Sequence, residues 1–350
     1  QVRDAMQRLG GFADVEIRTI IGADETTRCR NKAQFPVGQG PVTGFYRRRS
    51  HDVIDVADCP IQSKNAMQAC GALKFYMRDY EVSAYDEKTG KGLVRHIMTR
   101  TNRKGEILVT IVVNGKSLPE ETALCAVMRR KVDGLVGVVL NTNTRRDNVI
   151  MGNACRTLWG SSTIEETLCD KVFSISPLSF FQVNTAQTEK LYREARKAAA
   201  MDGKGTLLDL YCGIGTIGIT MADDCEKLIG IESVEQAVED ARKNALRNDI
   251  LNAEFYAARA EDLLPKMAAK GQKADVAVLD PPRAGCEEEL LRAVCTIAPE
   301  RIVYVSCNPA TLARDAKFLC ENGYTLHYVQ PVDLFPMTEH VESIASFTHN

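Results

Sequence analysis

The sequence has no apolar run approaching the ~20 residues that a helix needs to cross a bilayer. Its start, QVRDAMQRLG, lacks the charged-then-apolar layout of a secretory signal. The cytoplasm is therefore the expected location, with no membrane partner and no obligate protein partner evident. CxxC pairs are also absent. The twelve cysteines are scattered without short regular spacings, which argues against both a small disulfide framework and a self-contained zinc site. No low-complexity or repeated segment interrupts the chain. Net charge is scarce too, at −2. It divides into +5 for residues 1–170 (25 Lys/Arg, 20 Asp/Glu) and −7 for residues 171–350 (19 and 26). A modestly basic first half permits a polyanion partner, although a solvated mixed surface explains so small an excess as well.

With 350 residues and 45% hydrophobic composition, the chain can bury a substantial core, and its length suggests about two domains. From Thr206 onward, short apolar runs alternate with helical stretches, as in βα units around a largely parallel sheet. TLLDLYC, KLIGIE, AEFYA, DVAVLD, RIVYVS and YTLHYVQ read as strands, with a last one near Glu342–Phe347. Helices are expected around Thr216–Ala222, over VEQAVEDARKNALRN, and at Glu287–Ile297 and Thr311–Glu321. The first half mixes β-rich pieces such as EILVTIVVN and LVGVVLNTN with helices such as NAMQACGALKFYMRD and EETALCAVMRRKV, and reads as an α+β domain. The boundary is placed near Pro177, giving residues 1–176 and 177–350, with a joining helix from about Ala186.

Four segments carry chemistry. LLDLYCGIGTIGI spaces Gly213, Gly215 and Gly218 as GxGxxG behind a strand, so the backbone can approach a ligand closely. Glu232 ends the next strand, where a carboxylate can accept both ribose hydroxyls of an adenosine-bearing cofactor. This pairing fits NAD as well as S-adenosyl-L-methionine, and a lone glycine motif can also be a tight turn that binds nothing. Asp280-Pro281-Pro282-Arg283 ends the fourth strand, where two prolines pre-organise the acid; a turn cap is the bland alternative. Ser306-Cys307-Asn308-Pro309 ends the fifth. A thiol at the start of a helix is expected to have a lowered pKa, although a single free cysteine is usually a small core residue. Glu342 opens the last strand, where a carboxylate either faces the cleft as a general base or is a solvated strand end. The same alternatives cover His340.

Taken together, FFQVN, DLYCGIGTIG, DPPRAGC, VYVSCNPATLARD and FPMTEHVE resemble the sequential motifs of the RNA uracil-5-methyltransferase family. RNKAQFPVG, GFYRRRSHDVIDVADCPIQ and the TNRKGEILVTIV hairpin extend the similarity into the first half, most closely to members that modify 23S ribosomal RNA. The resemblance implies a class I, Rossmann-like, seven-stranded methyltransferase domain preceded by an α+β RNA-binding central domain, with the first ~28 residues packed on the catalytic part. It implies methyl transfer from S-adenosyl-L-methionine to carbon 5 of a uridine. Cys307 would be the covalent nucleophile and Glu342 the general base. Gln182, Tyr211, Gly213, Thr216, Glu232 and Asp280 match cofactor-contacting positions. Arg47, Arg48, Arg49 and His51, beside Tyr46, are candidate backbone-binding residues for RNA, with a solvated charge cluster as the alternative.

The chain departs from the family in one respect. Relatives commonly begin with a small TRAM-type β-barrel and three clustered cysteines that, with a fourth, hold a [4Fe-4S] cluster. Cys59 in ADCPIQ matches the fourth position, so either its partners precede Gln1 in a longer protein or it is an ordinary buried cysteine. Rival functions are a tRNA rather than ribosomal RNA substrate, an NAD-dependent dehydrogenase, an exocyclic-amine methyltransferase, and a non-enzymatic RNA-binding protein on the same scaffold. DPPR and SCNP have no task in the dehydrogenase.

Overall fold

Aliphatic runs too short for helices and too apolar for one solvated face are expected to become buried parallel strands. In the computed structural model, which describes residues 1–350, Leu207–Leu210 and Val276–Leu279 are such strands, with every residue buried. They lie side by side in an eight-stranded sheet. Its order from one edge is Glu16–Ile17, Tyr324–Val332, Glu342–His349, Arg301–Ser306, Val276–Leu279, Thr206–Leu210, Lys227–Glu232 and Ala253–Ala257. Glu342–His349 runs antiparallel to both of its neighbours. The pairings among the five strands from Arg301–Ser306 to Ala253–Ala257 are parallel. This is the class I methyltransferase arrangement, with one strand more than the seven expected. The extra strand, Glu16–Ile17, pairs parallel with Tyr328 and Val329.

The chain forms two compact units. One comprises residues 1–24, 167–173 and 179–350, the other residues 25–166 and 174–178. The division is thus not one cut near residue 177. Residues 1–24 join the larger unit because Glu16–Ile17 completes its sheet and the buried side chains of Val2 and Met6 enter its core beside Leu312, Ala316 and Leu319. Helix Ala260–Ala269 is one that the sequence pattern conceals. Pro265 lies inside it and interrupts the helical pattern by removing a backbone donor.

The smaller unit holds a seven-stranded sheet in the order Val53–Asp55, Val42–Tyr46, Lys32–Gly38, Val94–Thr101, Ile107–Val113, Leu135–Thr142 and Ala154–Gly160. Only the Ile107–Val113 and Leu135–Thr142 pairing is parallel. Helices Lys64–Asp79 and Glu121–Lys131 contribute Leu73, Tyr76, Leu124 and Met128 to its core. Val42–Tyr46, Val53–Asp55 and Ala154–Gly160 mix polar and apolar residues without a strict period of two, which hides them in the sequence. Lys32–Gly38, by contrast, alternates Ala33, Phe35 and Val37 with Lys32, Gln34 and Pro36, and Val94–Thr101 is the first arm of the hairpin at TNRKG. No helix of the chain is long and apolar enough to cross a membrane.

One buried carboxylate anchors the loop that follows Asp280 in the larger unit. Asp315, 1% exposed, lies on helix Pro309–Glu321. It accepts hydrogen bonds from the Tyr304 hydroxyl at 2.5 Å, the Cys286 backbone N–H at 2.8 Å and Arg314 Nε at 2.7 Å. Arg314 in turn donates to the carbonyls of Ala284 and Cys286. Removing the carboxylate would leave the buried Tyr304 hydroxyl and the Cys286 N–H without their acceptor. Asp315→Ala is expected to lower unfolding stability by about 1–3 kcal/mol, read from the urea midpoint.

Candidate active site

Parallel strands in register end at one edge, so whatever follows them is gathered there. Leu210 pairs with Leu279 and Leu279 with Tyr304, which brings Tyr211, Asp280 and Cys307 to the same rim. The antiparallel strand starts where the others stop. Ser306 pairs with Ser343, so Cys307 and Glu342 emerge on adjacent strands despite their separation in sequence. A cavity of about 700 Å³ opens at this rim, and Gln182, Tyr211, Gly213, Glu232, Asp280, Arg283, Cys307 and Glu342 all line it.

Backbone conformation shapes the glycine-loop side of the cavity. Tyr211 and Gly213 both take left-handed φ values, +66° and +56°. A side chain on Gly213 would meet nothing within 4 Å, so this glycine leaves open space in the wall. Beneath the loop lies Asp209, fully buried, whose Oδ2 accepts from the Gly218 N–H at 2.8 Å. A Cβ on Gly218 would come within 2.7 Å of that oxygen, which accounts for the third glycine of the motif. Glu232 accepts from the N–H groups of Gly213 at 3.2 Å and Val234 at 2.8 Å. These bonds orient the carboxylate yet leave acceptor sites on it. The Tyr211 hydroxyl donates to Glu261 at 2.6 Å, a partner on the unforeseen helix.

The opposite side of the cavity combines the buried Glu342, the partly buried Asp280, a thiol and a cation. Burial raises the pKa of Asp280 to about 7. Glu342, 3% exposed, is raised to about 8 by burial and then by the neighbouring charge of Asp280, with Arg283 acting in the opposite direction. The Cys307 thiol is also raised, by burial first and then by Glu342 and Asp280. This reverses the lowered pKa expected from the helix start. Desolvation and two carboxylates raise it, and Arg283 opposes them through its charge and a hydrogen bond to the thiol. Asn308 caps helix Pro309–Glu321 by accepting from Ala310 N–H at 3.0 Å, and its Nδ2 donates to the Arg283 carbonyl at 3.0 Å. The helix start therefore ties the thiol loop to the Asp280 loop.

Other candidates lie elsewhere. The Thr216 hydroxyl bonds the buried Tyr192 hydroxyl at 2.8 Å, and Thr216 does not line the cavity. His340 lies beside Phe335 in the preceding loop, and its ring does not line the cavity either. Arg47, Arg48 and Arg49 are exposed on a turn of the smaller unit, and His51 pairs with Glu87 there. Cys59 is 7% exposed within that unit's apolar core, and no group of three or more metal-ligating side chains occurs in the chain. The residues present therefore do not by themselves fit an iron–sulfur cluster. Sequence reasoning missed Asp209, Glu261, Phe180 and Phe335, and assigned no role to Arg283. Only Arg283 carried a signal, its place in DPPR beside Asp280.

Residues 163–349 match the family described as tRNA (Uracil-5-)-methyltransferase. A Clostridium tetani protein named "uncharacterized RNA methyltransferase" is 44% identical across 100% of this chain and 76% of its own length. A protein of Caldanaerobacter subterraneus subsp. tengcongensis with the same kind of name is 44% identical over 99% of this chain and 77% of its own. The crystal structure of the Pyrococcus abyssi tRNA (uracil-54, C5)-methyltransferase in complex with S-adenosyl-L-homocysteine superposes with a TM-score of 0.83 at 30% identity, covering 99% of this chain and 82% of that one. Family match, near-full-length identity and a sheet edge that carries a thiol opposite two acids lead to one assignment: this chain belongs to the tRNA (uracil-5-)-methyltransferase family.

Proposed function

We propose that the chain methylates carbon 5 of a uridine in RNA, using S-adenosyl-L-methionine as the methyl donor and Cys307 as a transient covalent nucleophile. The observation that carries this reading is the shared cavity of Cys307, Glu342 and Asp280. The residues fit the donor. Glu232 has acceptor sites for ribose hydroxyls, Gly213 leaves room for close approach, and the two acids suit a sulfonium cation. Gln182, Tyr211 and Asp280 would hold the remainder. The donor supplies an electrophilic methyl group.

Carbon 5 of uracil is too weakly nucleophilic to take that methyl directly. The Cys307 thiolate adds to carbon 6, forming a C–S bond and leaving carbon 5 enolate-like, so that it can attack the methyl. Glu342 then takes the proton from carbon 5, the C5–C6 double bond re-forms, and the thiolate leaves. Arg283 stabilises the thiolate, while the carboxyls that oppose it are least costly when they hold their protons. Glu342 can take the carbon-5 proton only in its ionised form, which is the minor form below about pH 8, and with so raised a pKa that form is a strong proton acceptor.

The motifs of the first half resemble members acting on 23S ribosomal RNA, and that RNA is the substrate we favour. The Pyrococcus abyssi relative acts on tRNA, which makes tRNA the second reading. Mapping 5-methyluridine in both RNAs after incubation with the chain decides between them.

RNA carrying 5-fluorouracil has no removable proton at carbon 5, and is expected to form an adduct that survives denaturation and maps to Cys307 by peptide mass spectrometry. Cys307→Ala should form none, and methyl transfer to RNA by that variant at the wild-type rate would overturn the mechanism. Glu342→Gln should still form the adduct with ordinary RNA but turn over about 10²–10⁴-fold more slowly.

Stability carries a second signature of the same acid. The folded chain holds a proton on Glu342 up to about pH 8, which an ordinary glutamate releases near 4.5. The fold therefore binds more protons than the unfolded chain in this window. Stability from this residue falls as pH rises through the window, and the loss is complete above it. Glu342→Gln is expected to be more stable than wild type at pH 9, by an amount on the order of a few kcal/mol, and equal to it at pH 4. Urea unfolding at the two pH values measures the difference.

A further inference from the structure

A second cavity, of about 320 Å³, lies within the smaller unit. Tyr46, His51, Tyr85, Glu87, Arg95 and His96 line it. Neighbouring strand residues ordinarily point to opposite faces. Here the pairing of Val94–Thr101 with Ile107–Val113 slips between Val94 and His96, and such an irregularity re-aims side chains, so Arg95 and His96 both reach the cavity. Each is 5% exposed, yet Arg95 Nε and His96 Nδ1 have no hydrogen-bond partner. Buried donors and acceptors left open in a native fold call for an explanation, and a ligand that pairs with them is one.

The lining narrows the ligand's chemistry. The Arg95 guanidinium stacks over the Tyr85 ring, 4.3 Å from its centre, and the Tyr46 ring packs edge-on against His51 at 5.5 Å. Flat aromatic and guanidinium surfaces suit a planar heterocycle. The polar groups are mixed. The Tyr46 hydroxyl donates to Glu87 at 3.1 Å and lies 3.5 Å from His96 Nε2. Burial lowers the His96 pKa to about 4, so at neutral pH the ring presents one donor and one acceptor rather than a charge. A nucleobase edge, with donors and acceptors side by side, matches such a lining better than a simple anion does.

The outer boundary adds a phosphate partner. Tyr46 ends its strand and leads directly into Arg47–Arg49, which are exposed. Arg47 N–H donates to the Asp52 carbonyl at 2.8 Å, Ser50 N–H to the Arg47 carbonyl at 3.0 Å, and Arg49 takes a left-handed φ of +60°. These features hold the backbone of the three arginines in a tight turn between Tyr46 and His51, both of which line the cavity.

We propose that this cavity is a nucleotide-anchoring site that takes one unstacked base of the RNA substrate, distinct from the target uridine, with the adjoining phosphate held by the Arg47–Arg49 turn. The proposal rests on the reading of the chain as acting on RNA. Such an anchor would fix the register of the RNA through a base that undergoes no chemistry.

Two measurements on the full chain test it. In saturation-transfer NMR with 5′-AMP, GMP, CMP and UMP, at least one nucleotide should receive magnetisation from the wild type and lose it in Tyr46→Ala. In fluorescence anisotropy with a single-stranded RNA oligomer, Tyr46→Ala and Glu87→Gln should each weaken binding at least about fivefold, the size expected of one lost base stack. Both altered residues lie at the cavity's exposed side, and unchanged melting temperatures would show that the variants fold. Wild-type affinity for RNA in both variants overturns the proposal even if a mononucleotide binds, because the cavity would then serve free nucleotides. Nucleotide signals equal in wild type and Tyr46→Ala overturn it as well. Absence of methyl transfer by the wild type would instead sink the functional reading, while the mononucleotide titration still decides whether the cavity takes a base.

Discussion

Insertion of one antiparallel strand into a parallel sheet is the constraint on which the candidate active site depends. Parallel strands deliver only their carboxyl ends to the ligand-binding rim, so a site built from them alone draws on the residues that follow each strand. Glu342–His349, running the other way between Arg301–Ser306 and Tyr324–Val332, delivers its first residue to the same rim. The Ser306–Ser343 pairing thereby sets Glu342 beside Cys307, and a slip of one residue would turn the carboxylate to the opposite face of the sheet.

The same placement creates the electrostatics. Two carboxyls and a thiol held in a half-enclosed space resist ionisation through burial, Asp280 adds to the cost of charging Glu342, and both carboxyls add to that of Cys307. Arg283 is the counterweight, and its loop is held from behind by Asn308 and, farther along, by the Asp315 network. Arg283 acts on both the Cys307 thiol and the Glu342 carboxyl, so it lowers the cost of charging either. The glycine loop follows similar logic, since the buried Asp209 holds Gly218 and so fixes the backbone turn above it.

Much of this was legible because local chemistry and local order coincide. The alternation after Thr206, the glycine spacing and the acids or thiol at strand ends all belong to short windows in which periodicity and turn residues speak directly. The smaller unit was less readable. Its strands carry polar residues on faces that nonetheless become buried, as Thr99, Arg100 and Thr110 do, so the period-two signal is blurred. Glu261 and Tyr192 gave no sign of their roles, because each acts through a partner that only folding supplies. Thr216 illustrates the converse, a residue with the right motif position whose hydroxyl is taken by Tyr192.

The sequence by itself determined the fold class, the family and the residue types available at each strand end, because these follow from hydrophobic period and from motifs contained within a few positions. Tertiary structure alone decided which of those residues meet, which thiol and acids share one low-dielectric space, and that the Cys307 pKa rises rather than falls. Burial and charge coupling depend on neighbours from distant segments, and sequence windows do not contain those neighbours.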